Sequence, residues 1–189
     1  METLANQTNA SGLRFAVEDG VARVEIDLPG EKVNKLTSAW MAEFEALLDR
    51  LASADGVRAV VLASGKPDTF IAGADIGEIE ALASFEEARD KSRFGQRVFA
   101  KIEALGKPVV AAIHGACLGG GCELMLACHA RLASDEPATK LGLPEVKLGI
   151  VPGFGGTQRL PQVVGLQAAL DLVLTGRIVD ATQFGTVWP

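Results

Sequence analysis

No apolar run in this sequence approaches the ~20 residues that a bilayer crossing requires. The opening METLANQTNASG has neither the basic stretch nor the apolar core of a secretory signal. Both absences predict a soluble, cytoplasmic chain with no membrane insertion. Positive charge is also short: eighteen Lys and Arg face twenty-four Asp and Glu, a formal charge of -6. That balance argues against nucleic acid as the main partner, although a local basic patch could still take a phosphate. Only three cysteines are present, so they cannot all pair. Cys117, Cys122 and Cys128, with His129 following, raise the question of a metal. Zinc sites use tight C-x-x-C or C-x-x-x-x-C pairs plus a second cluster, which this spacing does not supply. On a helix Cys122 and Cys128 would sit about 120° apart. We read all three as small buried residues and expect no metal. The nucleotide fingerprints are missing too: there is no Gly-Lys-Ser/Thr phosphate loop and no G-x-G-x-x-G. A G-x-S-x-G nucleophile elbow is also absent, which removes the serine-hydrolase reading of His114. Nor does the sequence show an internal repeat, a low-complexity tract or an interdomain linker.

What is present is the alternation of an α/β domain. Phe15–Val17 and Val21–Leu28 are β-rich runs joined by Glu18-Asp19-Gly20, a hairpin signal. Thr37 or Ser38 can cap a helix whose Met41, Phe44, Leu48 and Leu51 recur at helical spacing, until Asp55-Gly56 stops it. Val57–Leu62 reads as a buried strand, followed by the turn Gly65-Lys66-Pro67-Asp68. Ser84 and Glu87 make a capping box for a second helix ending near Leu105, with Gly106 and Pro108 beyond. Val109–Ile113 is the next buried strand, and an apolar helix is expected over Cys122–Ala130. Residues 1–12 are expected to be a disordered leader, 13–181 the domain and 182–189 an atypical tail.

Two places carry chemistry. Gly119-Gly120-Gly121 lies between a buried strand and a helix start. Such a run is costly to order. It lets backbone approach a ligand and leaves N–H groups free at a helix N-terminus, where they bind an anion or a developing oxyanion. The alternative is tight strand–helix packing. Glu123 follows in the first helical turn, a position the helix dipole favours by itself. Its neighbours Cys122, Leu124, Met125 and Leu126 leave little polar face, however, so the carboxyl is expected to be buried with a raised pKa. The second place is Glu145, directly after Pro144 and among apolar residues, ahead of a glycine-rich stretch that opens another helix around Thr157–Val164. Alone it could be a surface carboxylate; with Glu123 it makes a pair able to divide acid and base roles.

Four segments in this order, Phe70–Ile76, His114–Leu124, Leu143-Pro144-Glu145 and Pro152–Leu160, resemble the successive signatures of the enoyl-CoA hydratase (crotonase) superfamily. The resemblance spans roughly residues 15 to 178. Within the family, Pro29–Leu36 and Leu174–Arg177 are most similar to the N-terminal hydratase region of multifunctional fatty-acid oxidation complex α-subunits. The resemblance implies a crotonase-like (ClpP/crotonase) spiral of repeated β-β-α units. It implies enoyl-CoA hydratase activity, the addition of water to 2-trans-enoyl-CoA in fatty acid β-oxidation. By motif position the backbone N–H groups of Ala74 and Gly120 would hold the thioester oxygen. Glu145 would exchange the proton at C2, and Glu123 would orient the attacking water. Ala72 and Asp75 would lie at the substrate, and Lys66 is a phosphate-contact candidate against the alternative of a solvated turn lysine. His114 would brace the glycine loop. No cofactor is implied, since coenzyme A is part of the substrate. A homo-oligomer, or assembly with a thiolase, is the implied partnership. Family members normally continue past residue 181 with helices that cover the site, so a C-terminally truncated domain is expected. An isomerase or other crotonase-type activity, or an inactive acyl-CoA-binding fragment, remains the alternative.

Overall fold

The computed structural model describes residues 7–8, 11–180 and 182–183. Most of the expected leader, and the tail from residue 184, lie outside the described residues. Within that leader Gln7–Thr8 forms a short strand, β1, against β2 (Leu13–Glu18). Then come β3 (Val21–Ile26), α1 (Ser38–Ser53), β4 (Ala59–Ser64), β5 (Thr69–Ile71), α2 (Ile76–Glu80) and α3 (Phe85–Glu103). β6 (Val109–Ile113), β7 (Ala116–Leu118), α4 (Gly120–Ala127), β8 (Ala130–Ala133) and β9 (Lys140–Gly142) follow. A 3-10 turn (Pro144–Leu148), α5 (Gly156–Val164), α6 (Leu166–Thr175) and β10 (Ile178–Asp180) complete the order.

The strands divide between a six-stranded sheet, β1-β2-β3-β4-β6-β8, and a four-stranded sheet, β10-β9-β7-β5. β3, β4, β6 and β8 run parallel, as do β5, β7 and β9. Each turn of chain therefore places one strand in the large sheet, one in the small sheet and then a helix: β4-β5-α3, then β6-β7-α4. β8-β9 leads into the 3-10 turn in the same way. This is the spiral of β-β-α units, and it is a repeat that the sequence does not display. What recurs is hydrogen-bond order; the strands are only three to six residues long and meet different neighbours in each turn. A period in side-chain type has nothing to sustain it.

The core forms where α1 and α3 cover the large sheet. α1 is capped by Thr37, whose side chain accepts from Trp40 N–H, and buries Trp40, Phe44, Leu47, Leu48 and Leu51 along one stripe. α3 contributes Val98, Phe99 and Ile102. Ser84 accepts from Glu87 N–H at its start, while Glu87 reaches back to Ala83 N–H, one residue short of a reciprocal box. The helix expected over Cys122–Ala130 instead starts at Gly120 and ends at Ala127, and Ala130 opens β8. Cys128 is extended, so the helix stops there, and the two glycines are drawn into its first turn by the packing described below. Among the described residues no helix is long and apolar enough to cross a membrane.

Candidate active site

The site begins at the corner between β7 and α4. Gly119 has φ 51° and ψ -125°, a conformation that residues with a Cβ avoid. Two residues on, a Cβ at Gly121 would lie 2.4 Å from the carbonyl oxygen of Ile71, so the helix start is pressed onto the end of β5. Gly119 N–H donates to Gly142 C=O, while Gly120 is the first residue of α4 and its N–H has no partner within the helix.

Facing it is the segment after β5. Leu36 N–H donates to Gly73 C=O and Asp75 N–H donates to Leu36 C=O, a parallel bridge at Leu36 and Ala74. Residues in such a ladder bond alternately to either side. Ala74, skipped by Leu36, therefore turns its N–H away from it. A Cβ at Gly120 would stand 3.5 Å from Ala74 N. Two backbone N–H groups from different turns of the spiral thus lie close together on the cavity wall, at the positive end of α4.

Glu123, on the first turn of α4, is 2 % exposed. Its Oε1 accepts from Phe154 N–H at 2.8 Å and Gly156 N–H at 2.7 Å. Burial nonetheless pushes its pKa up to about 7, against the Gly156 donor and with the help of the nearby Glu145 charge. Glu145 sits in the first turn of the 3-10 segment, also buried, with Oε1 against Gly119. Its Oε2 is buried without a hydrogen-bond partner, and burial raises its pKa too. The sequence singled out both glutamates for their apolar surroundings, and the structure brings them together.

Both carboxyls, Ala72, Ala74 and Gly120 open on one cavity of about 640 Å³. Its remaining walls are mainly apolar: Ile76, Ile79 and Leu82 on one side, Leu148 and Val151 on the other. These wall residues, with Lys91 and Phe154, were not legible as site residues. α2 is too short for a periodic signal, and Phe154 reads as one apolar residue among glycines. Two expected residues stand off the cavity wall. Asp75 caps α2 through Glu78 N–H and pairs with Lys35 at 2.9 Å, which holds its carboxyl below the ordinary value. Lys66 pairs with Asp27 at 2.7 Å and donates to Leu28 C=O. His114 Nε2 lies 2.5 Å from Lys66 C=O and so ties the glycine-loop strand to that turn. The three cysteines are free and buried, and among the described residues no group of three or more His, Cys, Asp and Glu could hold a metal.

The sequence and fold can be set beside known proteins. Residues 16–188 match the family model described as enoyl-CoA hydratase/isomerase. The chain is 53% identical over 166 residues to the fatty acid oxidation complex subunit alpha of Idiomarina loihiensis, and 52% identical to that of Shewanella amazonensis. These alignments cover 88% of this chain but only 23% and 24% of those proteins, so the chain spans about a quarter of their length. Among solved structures, an enoyl-CoA hydratase from Geobacillus kaustophilus superposes with a TM-score of 0.92 at 31% identity, covering 97% of this chain and 68% of that one. The enoyl-CoA hydratase from Bacillus anthracis gives 0.86 at 33% identity, covering 93% and 67%. With the glycine corner, the paired carboxyls and the spiral in place, the matches agree on one assignment: the chain belongs to the enoyl-CoA hydratase/isomerase family.

Proposed function

We propose that this chain adds water across the 2,3 double bond of a 2-trans-enoyl-CoA thioester, a step of fatty acid β-oxidation. One observation carries the reading: two backbone donors and two buried carboxyls of raised pKa share a single apolar cavity. The thioester carbonyl sits on the N–H groups of Ala74 and Gly120, and the acyl chain lies along the apolar walls. Hydration needs one base and one acid. Glu123, whose anion is steadied by two N–H donors, orients the water and takes its proton as the oxygen bonds to C3. The electron pair of the double bond moves onto the thioester oxygen as an enolate. Oxyanion donors of this kind are typically worth ~2.7–4 kcal/mol each. Glu145, whose buried carboxyl favours the protonated form, supplies the proton to C2 as the enolate collapses. The pair enters the step holding one proton and leaves it holding one, so the reverse dehydration uses the same groups with roles exchanged.

Acid–base chemistry at these groups needs no resident cofactor, and coenzyme A arrives with the substrate. For partners we propose a homo-oligomer or assembly with a thiolase, in the cytoplasm; the relatives' name, a subunit of a complex, supports assembly alone. Ala72 flanks the oxyanion donors; Asp75 and Lys66 would act at the coenzyme A portion only by leaving their present partners.

The test follows the loss of conjugated enoyl-thioester absorbance, with Glu123→Gln and Glu145→Gln in parallel. Hydration that falls by about 10²–10⁴-fold in each variant, with substrate affinity retained, is the expected result. Migration of the double bond without addition of water would move the assignment to isomerase. Binding of the thioester without turnover in the unmodified chain would leave an acyl-CoA-binding protein.

A further inference from the structure

Glu123 owes its orientation to a loop that has little stiffness of its own. Both N–H groups on its Oε1 come from Gly153-Phe154-Gly155-Gly156, three glycines in four residues. Glycine gives up more conformational freedom on ordering than any other residue, so side chains from outside must fix this segment. Arg159 does so most directly. From the first turn of α5 its guanidinium folds back over Gly155, where a Cβ would meet Nη1 at 2.3 Å. Nη1 donates to Phe154 C=O at 2.8 Å. The other edge of the fork makes two bonds to Glu103 at the end of α3, Nε to Oε1 at 2.9 Å and Nη2 to Oε2 at 2.8 Å. The guanidinium is largely enclosed, whereas Glu103 is half exposed. Gln96, five residues past Lys91 on α3, donates to Gly153 C=O at 2.8 Å. That carbonyl belongs to the same peptide group as the Phe154 N–H, so this bond strengthens the donor held by Glu123. The Phe154 ring completes the hold, edge-on to Phe99 and over Gly95.

On the reading of Glu123 as the base of hydration, we propose that Arg159, fastened by Glu103, is a positioning residue for Glu123. It anchors the 153–156 loop so that both N–H groups stay on Oε1, and Oε2 is left to meet the water. Its charge also favours the ionised carboxyl that a base requires. The groups that face Glu123 are few: Glu145 from the 3-10 turn, Arg159 from α5, the Cys122 thiol beside it on α4, and Lys91 across the cavity on α3.

The experiment titrates Glu123 directly, by carbon NMR of labelled glutamate carboxyls in the substrate-free chain, assigned with Glu123→Gln. It compares the unmodified protein with Arg159→Met, Arg159→Lys and Glu103→Gln. Arg159→Met is expected to move the Glu123 midpoint upward and to weaken hydrogen-exchange protection at the amides of Phe154 and Gly156. Arg159→Lys keeps the charge without the fork, so it should restore the midpoint in part while leaving the amides exposed. Glu103→Gln, altered at a half-exposed carboxyl, should shift both readouts in the same direction by less. If hydration is observed, its rate at pH 7 should fall about tenfold in Arg159→Met with KM unchanged, the acid limb of its pH profile following the NMR midpoint. An unmoved Glu123 midpoint with protected amides, in folded Arg159→Met or, should that variant fail to fold, in Glu103→Gln, would overturn the proposal. Because the titration needs no turnover, it reports on the clamp even where the hydratase reading fails.

Discussion

At the scale of single residues, the decisive quantity is the free energy of keeping Glu123 where it is. A carboxyl that titrates at about 7 in the fold and at 4.5 when unfolded binds its proton more tightly in the native state. Its contribution to stability is therefore complete below the unfolded value and is lost as pH rises through 7. By linkage the span amounts to on the order of 3 kcal/mol. Glu123→Gln, which removes the buried charge but keeps the shape, is expected to be more stable than the unmodified chain at pH 8. The difference should close toward pH 5. Urea midpoints across that range check it; a constant difference would mean that Glu123 is not the group responsible. Glu123 was legible in the sequence because a charge among Leu, Met and Cys is expected to be buried; Glu145, which alone could have been a surface carboxylate, was singled out as its partner. Lys66 was not: its neighbours in sequence show a turn, and only the fold brings Asp27 and Leu28 C=O to its ammonium.

At the scale of elements, α2 stands apart. It has five residues, none of them buried, yet Ile76 and Ile79 form one wall of the cavity. A helix this short does not hold itself together in water. Its ties are polar: Asp75 caps it, Glu78 accepts from Ser38 N–H at 2.9 Å, and Lys91 pairs with Glu78. Glu78→Gln is therefore expected to raise hydrogen exchange selectively at residues 76–80, leaving α1 and α3 protected. Loss of protection across all three helices would show that the wall is held by the core instead. The same brevity explains what sequence reading could and could not find. α1 announces itself by a cap and a stripe of apolar residues over about four turns, α3 by the Ser84 cap at its start and Gly106 and Pro108 beyond its end. α2, β7 and β9 are too short to carry a period, and they become defined only once their neighbours are in place.

For the molecule as a whole, the turns of the spiral are pinned to each other at Asn34. Fully buried, it accepts from Leu28 N–H and shares its two amide hydrogens among Ile26 C=O, Ser64 Oγ and Phe70 C=O, while its backbone carbonyl accepts from Ala72 N–H. One side chain thus links the ends of β3 and β4 to β5, two residues before the Leu36–Ala74 bridge. Asn34→Ala would strand the Leu28 N–H away from water and take a donor from Phe70 C=O, at ~1–3 kcal/mol per unsatisfied group, while Ile26 C=O keeps the Gly65 N–H. Its expected effect is a stability loss of roughly 3–5 kcal/mol, measured by denaturant unfolding, with the loss felt in all turns at once. A loss under about 1 kcal/mol would mean that water takes over these bonds. The winding also sets an order of events during synthesis. Glu123 leaves the ribosome well ahead of the Phe154 and Gly156 amides that hold its Oε1. Until they follow, α4 can dock only by burying an acid that lacks those donors. The nascent chain can therefore pair most strands of its large sheet and form its first helices early, while β8 and then the reactive centre follow.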